Sequence, residues 1–256
     1  MEFIAFAQQH GLIIDSVVTD RWTRVPTEDK PNKRNGSYIW DGQSGAVQNW
    51  AMHDKPITFR SEKRVPFITI NRVKQQENQD ELRAKAKSKA VFMMNNATEQ
   101  SHQYLTRKGF PLLKGAVWNG LLLIPMRIDN KLVGCQMIDA EGNKKFLRGQ
   151  ITKGASLIID NKGRDILVEG YATGLSVREV LKDAKKRYTI HVCFSAGNML
   201  EIAKGLHDPL VIADNDKIGI QTAQKIGQYW ISDKDGEDFN DAHQRGYIGN
   251  LIELVG

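Results

Sequence analysis

From Arg164 to Tyr229, short apolar runs alternate with amphipathic segments, and nothing else in the 256 residues constrains the fold as tightly. Arg164 to Val168, Thr189 to Phe194 and Pro209 to Ala213 have strand length and strand composition. Between and after them, Thr173 to Lys186, Asn198 to Leu206 and Ile218 to Tyr229 read as amphipathic helices. Such alternation predicts βαβ units around a mostly parallel sheet flanked by helices, an α/β fold. Upstream the pattern differs. Leu121 to Ile128, Lys131 to Ile138 and Lys145 to Leu147 predict a small antiparallel sheet, with turns at Asp129-Asn130 and Glu141-Gly142-Asn143.

The first 65 residues open with a short helix from Glu2 to His10 and continue as a β-rich module. Asn35-Gly36 and Asp41-Gly42 are hairpin-turn dipeptides, because both residues of each tolerate positive φ. Trp22, Trp40 and Trp50 either form this module's core or offer a stacking platform for bases. Residues 71 to 108 read as mainly helix, with high propensity through Asp80 to Ala90. The expected organisation is therefore an N-terminal module at 1–65 and a basic helical linker at 66–110. A small β-rich basal unit at 111–160 and an α/β domain at 161–256 complete it.

Charge separates the same pieces. The chain carries 36 Lys+Arg and 30 Asp+Glu, a formal net charge of +6. Residues 60 to 110 alone hold 11 Lys+Arg and 5 Asp+Glu, so the whole excess falls on that segment. A basic segment suits an acidic partner, nucleic acid first. Lys85, Lys87 and Lys89 spread around their helix, so they are either a solvated face or contacts to phosphate. No run approaches the ~20 apolar residues of a membrane span. The start at Met1-Glu-Phe-Ile-Ala-Phe-Ala7 lacks the basic region of a secretory signal, and cytoplasmic residence is expected. Cys135 and Cys193 stand alone in apolar runs, which predicts buried, reduced thiols and no zinc site.

The acids at the strand ends carry the chemistry. In an open α/β sheet, ligands bind beyond the carboxyl ends of the strands. Glu169 ends the run Ile166-Leu-Val-Glu-Gly170, and Asp214 and Asp216 end Leu210-Val-Ile-Ala-Asp-Asn-Asp216. Residues i and i+2 of an extended chain point the same way, so both aspartates can face one site. Acids on one edge repel unless a cation lies between them, and oxygen ligands in this number suit Mg²⁺ with phosphate completing its shell. A third acidic cluster follows at Asp233, Asp235, Glu237, Asp238 and Asp241. The alternative reading makes these residues helix N-caps and loop charges.

These residues carry a resemblance. Val168-Glu-Gly170, Ala213-Asp-Asn-Asp216 with Lys217 and Gly219, and Glu237-Asp-Phe-Asn-Asp241 look like the motifs of a Toprim domain. Glu169-Gly-Tyr-Ala-Thr-Gly-Leu-Ser176 and Ser195-Ala-Gly-Asn198 bring the chain closest to the bacterial-type Toprim primases of phages, plasmids and phage satellites. Upstream, Ile124 to Gln136 followed by Lys144-Lys-Phe-Leu-Arg-Gly149 is similar to the basal strands that precede Toprim in those primases. The resemblance spans about residues 98 to 245 and is weaker over 20 to 65. It implies synthesis of RNA primers on single-stranded DNA from ribonucleoside triphosphates, with Mg²⁺ or Mn²⁺. It further implies metal-binding roles for Asp214, Asp216 and Asp238, with Asp241 additional, and acid/base or metal work for Glu169. Arg127 and Lys145 match basic residues near primer, template or nucleotide, and Lys217 stands where a basic residue usually follows the aspartate pair. Lys85, Lys89, Arg107 and Lys108 are then expected to hold template.

Three departures accompany the resemblance. No cysteine cluster stands in the N-terminal part, and His10 and His53 lack metal-ligand spacing, so zinc is not expected. No Gly-x-x-x-x-Gly-Lys-Ser/Thr loop occurs, so no fused helicase is expected and a separately encoded one is the expected partner. Gly256 follows soon after the last acidic motif, so the helicase-docking domain of the bacterial enzymes is not expected. Gln136 also replaces a common arginine. Competing functions are a Toprim nuclease and a non-catalytic single-stranded DNA-binding accessory protein. A topoisomerase would need gate domains around Tyr104 or Tyr171.

Overall fold

The computed structural model describes residues 2–19, 21–61 and 72–256. The chain divides into two compact units, Met1–Gln76 and Glu77–Gly256. Residues 62–71, with Lys63, Arg64 and the start of the expected linker, lie outside the described residues.

In the first unit, α1 (Glu2–Gln9) precedes four strands: β1 (Thr23–Val25), β2 (Gly36–Trp40), β3 (Ser44–Asn49) and β4 (Ile57–Arg60). They form one antiparallel sheet in the order β1-β2-β3-β4. Phe3 and Ala7, four residues apart on one helical face, pack on Leu12, Ile14, Val25, Tyr38 and Val47. The Asp41-Gly42 dipeptide does turn the β2–β3 hairpin, with Gly42 at φ 97°. Asn35-Gly36 does not turn one. Gly36 lies inside β2, where a Cβ would come within 2.8 Å of Thr27 Cγ2, so the glycine serves close approach rather than positive φ. Trp40 packs on this core, stacked on Phe3 at 4.5 Å, whereas Trp22 and Trp50 are exposed. The Arg24 guanidinium lies 3.9 Å from the Trp50 ring centroid.

The second unit contains two sheets. The helix α2 (Arg72–Asn95) leads to β5 (Thr98–Gln100) and α3 (Gln103–Arg107), so the expected helix up to 108 ends early. Next come β6 (Gly115–Trp118), β7 (Leu121–Ile128), β8 (Lys131–Ile138) and β9 (Lys144–Phe146). These strands make an antiparallel sheet ordered β5-β6-β7-β8-β9. Its first strand falls in the stretch expected to be linker, because Thr98–Gln100 pairs with β6 while carrying no apolar signal of its own. Alternation along β7 divides the sheet's faces. Leu123, with Cys135 and Leu147, receives Ala86, Ala90 and Met93 of α2. Leu122 and Ile124, with Ile138, face Tyr104, Leu105, Ala172 and Leu175.

From β11 to α6 the chain alternates as expected, and four elements join that were not expected: β10 (Leu157–Asp160), β11 (Arg164–Val168), α4 (Tyr171–Asp183), β12 (Tyr188–Val192), α5 (Ala196–Ala203), β13 (Leu210–Ala213), α6 (Lys217–Ile226), β14 (Tyr229–Ile231), α7 (Phe239–Gln244) and α8 (Leu251–Val255), the additions being β10, β14, α7 and α8. The sheet order is β10-β12-β11-β13-β14. β12, β11, β13 and β14 run parallel and β10 is an antiparallel edge. Tyr229 opens a strand instead of ending a helix, since Gly227 at φ 149° terminates α6. Ile166, Val168, Ile190, Val192, Leu210 and Ile212 form one face of the core with Val177, Leu181, Trp230 and Phe239. Leu167, Val211 and Ala213 form the other with Met199 and Ala223. The helices thus cover both faces. Among the described residues, no helix is long and apolar enough to cross a membrane.

Ile190 is fully buried in the middle of β12. Ile190→Ala is expected to cost about 2–5 kcal/mol, measured by denaturant unfolding.

Candidate active site

The parallel order creates the site. β11 pairs with β12 on one side and with β13 on the other, so successive crossovers leave in opposite directions and the strand ends between them stay open. Val168 is in register with Ile212, so Glu169 falls level with Ala213 and Asp214 follows one residue on, near enough for the Glu169 charge to act on it. The Phe194 amide donates to the Glu169 carbonyl at 2.8 Å, and the Asp216 amide donates to the Asp214 carbonyl at 2.8 Å. Gly219 packs so closely under this turn that a Cβ there would lie 2.2 Å from the Asp214 carbonyl oxygen.

Asn215 brings in the third acidic motif. Its side-chain amide donates to the carbonyls of Ser232 and Lys234, both at 3.0 Å. Its backbone N–H donates to the Glu237 carbonyl at 2.9 Å, and its carbonyl accepts from Gly236 at 2.7 Å. Asp238 is thereby held beside Asp214. The N-cap reading is also correct for two of the acids. Asp216 accepts from the Gly219 amide at 2.6 Å to cap α6, and Asp238 accepts from the Asp241 amide at 2.8 Å to cap α7. Asp233 and Glu237 are engaged elsewhere: both take hydrogen bonds from Arg245, which holds the Glu237 carboxyl below the usual range.

Burial and crowding raise the proton affinity of Asp214 and Glu169. Burial, followed by the charges of Glu169, Asp238 and Asp216, pushes Asp214 up from 3.8 to about 7. Burial and then the Asp216 charge raise Glu169, against the pull of Lys144. The Asp214 Oδ1 atom is buried and has no hydrogen-bond partner, a costly position for an anionic oxygen unless a proton or cation meets it. Among the described residues, no three acidic, histidine or cysteine side chains come together closely enough to hold a metal ion by themselves. Mg²⁺ keeps several waters and needs only one or two carboxylates plus phosphate oxygens, and the unpartnered Asp214 Oδ1 is an oxygen of the kind it takes.

The basic residues fall into separate places. Lys144, not singled out in the sequence, neighbours the acids, with Nζ 3.9 Å from the position of a Cβ on Gly170. Register explains why it, rather than Lys145, does so. Lys144 is paired with Ile138, which packs towards Ala172 and Leu175, while Lys145 is paired with Met137 on the α2 face. Lys108 reaches Asp241 at 3.1 Å and Asp238 at 3.9 Å. Arg107 is exposed beside the 139–143 turn, its Nη2 within 3.2 Å of where a Cβ on Gly142 would sit. Lys217 is exposed at the first residue of α6. Arg127 lies at the far end of β7, donates to the Asn130 carbonyl at 3.1 Å and lines a cavity of about 640 Å³ with Ser156 and Glu201. Lys85 and Lys89 are exposed on α2, which covers the antiparallel sheet on the face turned away from α4, and Lys85 pairs with Glu81. The acids are therefore brought together with Lys144 and Lys108, and the α2 lysines are not.

The Ser195-Ala-Gly-Asn198 stretch has a structural part. Ser195 caps α5, and Asn198 accepts from Gly154 at 2.6 Å while donating to Ala155 and Cys193 carbonyls at 2.8 and 2.7 Å. It ties the start of β10 to the end of β12.

No family model matches the sequence. Among solved structures, one chain in a complex of the bacteriophage T7 lagging-strand DNA polymerase interacting with primase domains of two gp4 subunits, bound to an RNA/DNA hybrid and dTTP, is similar. Identity is 18%, over 62% of this chain and 92% of that one, with a TM-score of 0.44. The primase fragment of the bacteriophage T7 primase-helicase protein is 16% identical over 63% and 77% of the two chains, with a TM-score of 0.43. The DnaG catalytic core is 11% identical over 73% and 72%, with a TM-score of 0.38.

Asp214 binds its proton more tightly in the folded than in the unfolded chain. On its account the metal-free protein loses stability as pH rises from the ordinary value of 3.8 to about 7. Asp214→Asn removes that loss. The variant is expected to match the parent near about pH 4 and to exceed it by about 2–4 kcal/mol near about pH 8, in denaturant titrations with chelator.

Proposed function

We propose that this protein is a primase that makes short RNA on a single-stranded DNA template by metal-dependent nucleotidyl transfer. The buried, unpartnered Asp214 Oδ1 among Glu169, Asp216 and Asp238 at the open strand ends carries the metal-dependent part of this reading. The primase part is supported by the sequence resemblance of Glu169–Ser176, Ala213–Asp216 and Glu237–Asp241 to Toprim primases. Glu169, Asp214, Asp216 and Asp238, with Asp241 at the flank, would hold Mg²⁺ or Mn²⁺. When bound, such ions supply positive charge to the triphosphate and acidify the attacking hydroxyl.

The chain's own groups divide the remaining work. Glu169, whose proton affinity is raised by burial, accepts the proton of the attacking 3′-hydroxyl. Lys144 stands against the acids at the edge where a triphosphate would enter and offsets charge they would repel. Lys217 and Arg107 extend that basic rim. Arg127 and Lys145 keep the primer- or template-side role the resemblance implies, at a distance from the acids. A separately encoded helicase fits as the partner that supplies single strands.

Purified protein with ribonucleotides, a library of single-stranded DNAs and Mg²⁺ or Mn²⁺ is expected to yield short, template-dependent RNA. Asp214→Asn combined with Asp216→Asn should lower the yield by about a thousandfold or more, the scale on which charge stabilisation is lost. Degradation of the DNA without synthesis would instead assign the site to a nuclease. Binding without either reaction would assign an accessory protein.

A further inference from the structure

Lys108 is placed with unusual care for a lysine near a surface. It follows α3 directly, and its N–H donates to the Tyr104 carbonyl at 3.0 Å. Its own carbonyl accepts from the Asn240 side-chain amide at 2.8 Å. Asn240 is fully buried, donates also to Ser176 Oγ at 2.9 Å and accepts from Gln244 at 3.0 Å. The backbone of Lys108 is thus tied to α7, whose cap is Asp238 and whose first turn carries Asp241. From that anchor the ammonium reaches Asp241 Oδ1 at 3.1 Å and Asp238 Oδ2 at 3.9 Å. The side chains of Lys108 and Asp238 are only 27% and 26% exposed, so solvent screens this pair incompletely.

The acids therefore fall into two unlike parts. Asp214, among Glu169, Asp216 and Asp238, holds a buried oxygen with no partner. At Asp238 and Asp241, a covalently tethered cation already faces the carboxylates. Tethering gives that ammonium a high effective concentration, against which a free ion must compete. Lysine is also a compact point charge that three donors can orient, which suits it to stand where an ion would.

We propose that Lys108 is a built-in cation of the site, holding Asp238 and Asp241 in place of a second divalent ion. The free protein then takes one ion at Glu169, Asp214 and Asp216, and a second only by displacing the Lys108 ammonium. This inference rests on the metal-dependent reading of the acids given above.

The test is a Mn²⁺ titration of the full chain without nucleotide, followed by the electron paramagnetic resonance signal of free Mn²⁺. The parent should show one tight class of site and a second about tenfold or more weaker, and Lys108→Ala should tighten the second by about tenfold while leaving the first within about twofold. Lys108→Arg should restore the parent behaviour, and Asp241→Asn should weaken the second class further. Lys108→Met keeps the stem's packing and answers the same question if the alanine variant does not fold. An unchanged second class in Lys108→Ala and Lys108→Met, beside an Asp214-dependent first class, overturns the role of Lys108 alone. Absence of any Asp214-dependent Mn²⁺ binding in the parent overturns the metal reading and the Lys108 inference with it.

Discussion

The parallel pairing of β11 with β13 is the contact on which the acidic edge depends. It aligns Val168 with Ile212, so that Glu169 and Asp214 emerge from neighbouring strands one residue apart in register. Because β12 lies on the other side of β11, the connecting helices depart towards opposite faces and leave the strand ends uncovered. Gly219 then allows α6 to start immediately beneath the Asp214 carbonyl, a contact that any Cβ would prevent. The carboxylates converge because the backbone leaves them nowhere else to go. Their mutual repulsion is supported by burial of Ile166, Val168, Ile212 and Trp230 in the sheet behind them.

Three cations partition the acids. Arg245 takes Asp233 and Glu237 into a local network with Ser232. Lys108 faces Asp238 and Asp241, and Lys144 opposes the upward shifts of Glu169 and Asp214. Among the described residues, one oxygen of Asp214 is buried without a hydrogen-bond partner. An acidic cluster that looks uniform along the chain is thus structurally divided. Part of it closes a loop, part caps helices, and part stays available for a cation.

Legibility in the sequence followed the strength of the local signal. Long apolar runs such as Leu121–Ile128 and the βα alternation from Arg164 were readable because burial imposes a period on many residues at once. β5, β10 and β14 have only three or four residues each, and each lies at the edge of its sheet, where pairing partners rather than composition define a strand. Gly36 was misread as a turn residue because a glycine needed for close approach and one needed for positive φ look alike in a sequence. Within the site, Glu169, Asp214 and Asp216 were legible as acids beyond apolar strands, and Asp238 as a member of an acidic cluster that matches the Toprim resemblance. Lys144 was not, since choosing between it and Lys145 requires the β8–β9 register.

By itself the sequence determined the α/β alternation, the acids at the strand ends and the glycines beside them, since these rest on residue type and short-range spacing. Only the tertiary structure decided which charges meet. The lysines of α2 form a marked basic run, yet burial of Ala86, Ala90 and Met93 sets that helix on the sheet face away from α4. Lys108, 133 residues from Asp241 in the chain, becomes its ion-pair partner because buried Asn240 ties α7 back to the residue after α3. Electrostatic interaction falls with distance in space, not along the chain, so charge pairing had to await the fold.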